Sequence, residues 1–160
     1  MTILAALTPS KPNAPTTTVT GSTVTISWTA PNDNGNAIQG YIIYIGQSDN
    51  TTYSVNIANC DGNGTLDSTI LTSTKCQVPI SVLIASPYSL PWGSHVYAKV
   101  LAYSGNGNSL TSEIGNGALI LTNPDPPTNL VETVAARTKS TITFTWTPPV
   151  LVGGSNVIDY

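Results

Sequence analysis

The chain is poor in charge. Its 160 residues include five Lys and Arg, eight Asp and Glu and a single His, for a net charge of −3. No basic cluster exists, so a nucleic acid or an anionic membrane surface has no electrostatic handle. The acids are scattered, and no carboxylate pair of the kind glycoside hydrolysis needs is visible. The one histidine, His95, follows Gly93-Ser94 in a turn before a strand. No base-orienting partner is identifiable for it, and no catalytic role is expected. Long apolar runs are missing too: none approaches the ~20 residues of a membrane-spanning helix. Met1-Thr2-Ile3-Leu4-Ala5-Ala6-Leu7 is apolar, but it is short and lacks the basic start of a secretory signal. Either a signal has been removed or the sequence begins inside a longer chain.

Helical periodicity is absent as well, and with it the helix that a phosphate-binding glycine loop must precede. Pro31-Asn32-Asp33-Asn34-Gly35-Asn36 has the look of a calcium loop but lacks the spaced acids and the closing Glu. Turn chemistry accounts for Asn34-Gly35 without a metal. The expectation is therefore a protein with no cofactor, no metal and no enzymatic activity. Cysteine is scarce: Cys60 and Cys76 stand with 15 residues between them. They are either two buried thiols or one disulfide. The intervening loop is rich in Gly, Asn, Asp, Ser and Thr, so a staple there would restrain a flexible segment, contributing ~3 kcal/mol in the chain-entropy account. The disulfide reading is favoured and places the protein outside the reducing cytosol, extracellular or at the cell surface.

Thr, Ser, Asn and Gly are abundant. The apolar residues make up 40% of the chain and fall in alternation, which separates it from a disordered polar segment. The clearest alternation is Val24-Thr25-Ile26-Ser27-Trp28, where Val24, Ile26 and Trp28 share a face. The same pattern returns in Ile142-Thr143-Phe144-Thr145-Trp146, and the two Trp are 118 residues apart. That period is too long for a solenoid and suits one sandwich domain. Further strands are expected at Ile3–Leu7, Tyr41–Ile45, Thr52–Ile57, Thr69–Leu71, Gln77–Val78, Val96–Tyr103 and Ala118–Thr122. Tyr41 and Ile43, with Ala98, Val100 and Ala102, complete the expected core with the first Trp strand. The sum is an all-β antiparallel sandwich of about seven strands and no helix, with turns about every ten residues.

A specific resemblance rests on several motifs together. They are the Pro-rich entry, Trp28-Thr29-Ala30-Pro31, Gly40-Tyr41-x-Ile43, Leu90-Pro91-x-Gly93-Ser94, Val96-x-Ala98-x-Val100-x-Ala102 and Gly107-x-Ser109. In these the chain resembles a fibronectin type III domain, which implies an immunoglobulin-like sandwich. The resemblance implies a last-strand remnant and linker over 1–11, a complete module over 12–123, and opening strands (A, B and the start of C) of the next over 124–160. Val96 stands where the family usually has a Tyr that pins a corner, and the segment from Asn56 to Gln77 is longer than usual. A Cys pair there resembles secreted or surface microbial repeats. No Arg-Gly-Asp is present, so integrin binding is not implied.

In the topology that the resemblance implies, Tyr41–Ile45 and Val96–Tyr103 are neighbours in one sheet. Their outward residues, Ile42, Tyr44, Tyr97, Leu101 and Tyr103, are expected to form an aromatic patch that a protein partner covers. The alternative is that these residue types simply suit strands and stay partly wet. Ile142, Phe144 and Trp146 need cover that residues 129–160 cannot supply, since two or three strands do not make a sandwich. A longer chain, or strand complementation by another copy, is the expected source. Asn50-Thr51-Thr52 and Asn63-Gly64-Thr65 are glycosylation sequons in predicted turns, making Asn50 and Asn63 candidates for covalent glycans. The function expected is an extracellular structural or adhesive array acting as spacer, surface coat or filament subunit, self-associating through sheet faces or strand complementation. The alternative is a ligand- or carbohydrate-binding accessory module or receptor ectodomain fragment. There Trp92 beside Tyr88 would stack on a sugar, unless Trp92 plugs the sandwich end.

Overall fold

A computed structural model describes residues 6–160. The chain divides into two compact units, Met1–Ile120 and Leu121–Tyr160. The expected strand at Ile3–Leu7 lies, for residues 3–5, outside the described residues. Residues 6 and 7 are not in a strand.

In the first unit, β1 (Thr16–Thr20), β2 (Thr23–Ser27) and β5 (Lys75–Pro79) form an antiparallel sheet in the order β1-β2-β5. A second sheet has the order β4-β3-β7-β8, from β3 (Ile38–Gly46), β4 (Tyr53–Val55), β7 (Ala98–Ser104) and β8 (Gly107–Asn108). A short ladder of β6 (His95–Val96) with β9 (Ala118–Leu119) continues beside it. The period-2 pattern explains the layering. Val24 and Ile26 are fully buried and Trp28 is 6% exposed, while Thr23, Thr25 and Ser27 on the same strand are half-buried and face outward. Opposite them lie Tyr41, Ile43, Ala98, Val100 and Ala102, all buried. Trp28 meets Tyr41 edge-on, with ring centroids 5.2 Å apart, a geometry that contributes ~0.5–1.5 kcal/mol beyond area burial. The Trp28 indole N–H is buried without a hydrogen-bond partner. Burial raises the Tyr41 hydroxyl above its ordinary pKa.

Two short helices modify the all-β expectation without changing the class. Ser68–Ser73 (α1) stands where Thr69-Ile70-Leu71 is expected as a strand. The reason is local: the Asp67 carboxylate accepts from the Thr69 N–H, and Thr74, left-handed at φ 50°, closes the turn by donating its N–H to Ile70 O. Ile70 is thereby buried. Ile80–Leu83 (α2) carries Ile80 and Leu83 into the same core.

The edge after β8 is irregular and is held by backbone bonds from Ser109, Ser112 and Gly115 to β7 together with side chains. Ser109 Oγ accepts from Ala102 N–H and Ser112 Oγ from Val100 N–H, at 3.0 and 2.9 Å, each donating onward to the next carbonyl. Asn116 clamps β1: its Oδ1 accepts from Thr17 N–H at 2.7 Å and its Nδ2 donates to Thr17 O at 3.1 Å. Residues 7–15, part of which reads as a linker in the sequence, lie against this unit. Leu7 and Ser10 donate to Asn34 O and Asn32 O, Pro9, Pro12 and Pro15 are buried, and Lys11 pairs with Glu113.

The second unit holds β10 (Thr128–Glu132) paired antiparallel with β11 (Phe144–Thr147). A 3-10 turn lies at Val134–Ala136, and an Arg137–Glu132 ion pair closes the hairpin region.

Candidate protein interface

The outward face of the β4-β3-β7-β8 sheet carries a row of apolar and aromatic side chains. Register fixes its layout. Ile42 is opposite Leu101, Tyr44 opposite Lys99, and Gly40 opposite Tyr103. On the other side Tyr44 is opposite Val55 and Gly46 opposite Tyr53. Ile42, Tyr44, Tyr97 and Tyr103 are partly exposed. Leu101 is a correction: at 8% exposed it is buried and does not contribute to an exposed patch. It sits mid-strand between Lys99 and Tyr103 with Ile42 directly across, where larger neighbours shade it. Val55 and Ile57 join the face instead, at 41% and 61% exposure.

Two details shape this surface. The Tyr103 ring lies over Gly40, in the space a Cβ there would need, so the glycine is what lets the ring lie flat across the strand. Lys99 Nζ stands 4.2 Å over the Tyr53 ring, placing the face's one cation on an aromatic rather than in solvent. Burial raises the Tyr53 hydroxyl pKa, with the neighbouring Tyr97 adding to it.

Two clefts open at opposite ends of the face. One, of about 510 Å³, is lined by Tyr41, Ile42, Val55, Ile57, Tyr103 and the loop 60–63. The other, of about 630 Å³, is lined by Asn50, Tyr53, Leu90, His95, Tyr97 and Ile114 among others. The loop at the first cleft is cross-linked and hydrogen-bonded to the sheet. Cys60 and Cys76 form a disulfide, Cα–Cα 5.2 Å, and both are buried. Gly62 O accepts from Tyr41 N–H at 2.9 Å, and a Cβ on Gly62 would collide with the Tyr41 carbonyl. The buried Asp61 carboxylate accepts from Leu66 N–H at 2.7 Å.

Both sequon asparagines are exposed. Asn63 Oδ1 accepts from Thr65 N–H at 2.8 Å. Asn50 adopts φ 58°, and the adjacent Asp49 carboxylate accepts from the Thr52 hydroxyl and from the Thr52 and Thr51 N–H groups. Those bonds hold Asp49 at a pKa of about 2.

The remaining candidates are dispersed. His95 Nδ1 is 3.1 Å from Gly117 O, and its ring stacks on Tyr97. Tyr88 is 1% exposed, so it offers no ring to a ligand, and burial raises its pKa. Trp92 is partly buried and packs against the core. Tyr88, Leu90 and Ile120 belong to the core. Sequence periodicity misses them because they lie outside the strands, Tyr88 and Leu90 in a corner and Ile120 just past β9. Among the described residues no three His, Cys, Asp or Glu cluster as a metal site would require, and no helix is long and apolar enough to cross a membrane. In the second unit Ile142, Phe144 and Trp146 are 61%, 50% and 41% exposed. Trp146 leans on Tyr160, ring centroids 5.4 Å apart.

The fibronectin type III domain family matches residues 8–117. The chain belongs to that family. Several solved structures are similar to this chain. A titin fragment of domains A168–A170 matches at 19% identity and TM-score 0.51, over 71% of this chain and 32% of the fragment. Titin kinase with its flanking domains matches at 19% identity and TM-score 0.49, over 71% of this chain and 17% of the other. The FN1–FN3 domains of chicken CNTN1 match at 14% identity and TM-score 0.48, over 88% of this chain and 42% of the other. The chain thus spans less than half the length of each of these. Type III domains are generally non-catalytic modules.

Proposed function

We propose that the chain is a non-enzymatic segment of a tandem type III array, acting outside the cell as a structural or adhesive spacer that self-associates through sheet faces. The observation that carries this reading is the repeated Trp strand. In β2 the apolar side is covered by a second sheet, whereas in β11 the same pattern leaves Phe144 and Trp146 half exposed. A face of that composition calls for a sheet like the one that Tyr41–Ile45 and Ala98–Ala102 present to β2. A further module of the array or a second copy, completing the sandwich by strand addition, has that chemistry. The strip Ile42, Tyr44, Tyr97 and Tyr103 is the second contact surface, suited to a neutral, aromatic protein partner. The Cys60–Cys76 disulfide supports an oxidising location.

Tryptophan quenching by a neutral quencher tests this reading. In dilute solution Trp146 is expected to be quenched freely and Trp28 hardly at all, with Trp146 becoming protected as concentration rises or when a longer array is used. A monomer in which Trp146 is as shielded as Trp28 would contradict it.

A further inference from the structure

Both Asn-x-Thr sequons of the chain fall on one sheet face, at its two ends. Asn63 lines the cleft formed by Ile42, Val55, Ile57 and Tyr103. Asn50 lines the cleft formed by Tyr53, Tyr97 and Ile114. The opposite sheet, with its neutral outer row of Thr16, Thr18, Thr20, Thr23 and Thr25, has no sequon. Each attachment point is held by its own loop. The Asn63 carbonyl is engaged by Thr65 N–H, and its loop is pinned by the disulfide and by Tyr41 N–H. The turn at Asn50 is pinned by the Asp49 carboxylate. Neither Asn Nδ2 donates a hydrogen bond among the described residues, so both amide nitrogens are free to be substituted.

We propose that Asn50 and Asn63 carry N-linked glycans whose first sugars lie in these two clefts, over Tyr97 and Tyr103, so that in the glycosylated chain the protein-contact strip proposed above narrows to the middle of the face around Tyr44. The proposal rests on the extracellular reading above. The surfaces are complementary in kind. A sugar ring has one face of C–H groups, which suits Tyr103, Ile57, Tyr97 and Ile114, and a hydroxyl rim that stays in water. A concave apolar site with a few polar groups at its edge is what orients such a ligand. Attachment here makes the local concentration high, so weak stacking suffices.

The covalent step uses a polyprenyl diphosphate-linked oligosaccharide as donor. The Asn Nδ2 forms a bond to the anomeric carbon of an N-acetylhexosamine. The bond from that carbon to the diphosphate oxygen breaks, and the diphosphate leaves with the electron pair. One amide proton is released to a base, and nothing is oxidised or reduced.

The test has two arms. Peptide mapping of the protein isolated from its own cells, under non-reducing conditions, is expected to show the Cys60–Cys76 disulfide and a hexosamine-based mass on the peptides bearing Asn50 and Asn63. Disulfide-bonded protein with both asparagines unmodified would overturn the proposal and leave the extracellular reading standing. Free thiols with unmodified asparagines would overturn both. In the second arm the glycosylated chain is compared with N63Q and N50Q for binding of a hydrophobic fluorescent dye. Dye fluorescence is expected to rise severalfold when either sugar is missing. Equal fluorescence in all three would show that the sugars project into solvent and would overturn their placement in the clefts.

Discussion

β2 and β11 carry the same alternation and sit in opposite circumstances. Val24 and Ile26 are fully buried and Trp28 nearly so, whereas Ile142, Phe144 and Trp146 are 61%, 50% and 41% exposed. The alternation therefore specifies a strand with one apolar side, and burial is conferred by whatever second sheet faces it. In the first unit that sheet is supplied by β3 and β7 through Tyr41, Ile43, Ile45 and the small residues Ala98 and Ala102.

The sharpest way to break this comparison is to remove each Trp in turn. Trp28→Ala is expected to destabilise the first unit by ~3–5 kcal/mol, because a large buried side chain leaves a cavity. Trp146→Ala is expected to change that unit's stability by no more than about 0.5 kcal/mol, as for an exposed site. Denaturant unfolding of the two variants checks both values, and equal losses would dissolve the distinction. Next in size is the disulfide, a restraint that the described second unit lacks. Replacing Cys60 and Cys76 by Ala is expected to lower stability by ~2–4 kcal/mol. The change should be felt in the loop 56–66 and α1, with the β3–β7 ladder retained, and amide chemical shifts would report it.

The smallest effect concerns the turn at 49–52. Asp49 has its pKa depressed to about 2 because its ionised form accepts bonds from Thr52 and Thr51. A depressed carboxylate contributes stability above its unfolded pKa of ~3.9 and loses it as pH falls through the folded value. The turn should therefore loosen between about pH 4 and pH 2, read from the Thr51 and Thr52 amide shifts. Asp49→Asn should remove that pH dependence and leave global stability nearly unchanged, since the group is fully exposed.

Much of this fold is legible because burial on one side of a strand writes a period of two into the sequence. Val24 and Ile26 in β2, and Ala98, Val100 and Ala102 in β7, lie in strands for that reason, and the pairing of Cys60 with Cys76 agrees with the favoured reading. Three things escape periodicity. The helix at Ser68–Ser73 is set by a single cap at Asp67 in a β-branched stretch that otherwise reads as strand. At Ser109 and Ser112 the backbone N–H groups still donate to Ala102 O and Val100 O, but the hydroxyls accept the β7 N–H groups that carbonyls would take in a regular ladder. Tyr88 is buried from a corner whose path no local pattern reveals. The outward face is legible in outline from alternation, but Leu101 is not. Its burial depends on neighbours across the sheet, and one strand's pattern carries no information about those.

Amide hydrogen exchange resolved along the chain, measured over a range of protein concentrations, bears most directly on the central claim. Residues 24–28 are expected to exchange only through global unfolding, at a rate independent of concentration. Residues 144–147 are expected to exchange rapidly in dilute solution and to slow as concentration rises and other copies cover them. Protection of residues 144–147 equal to that of residues 24–28 at every concentration would contradict the account.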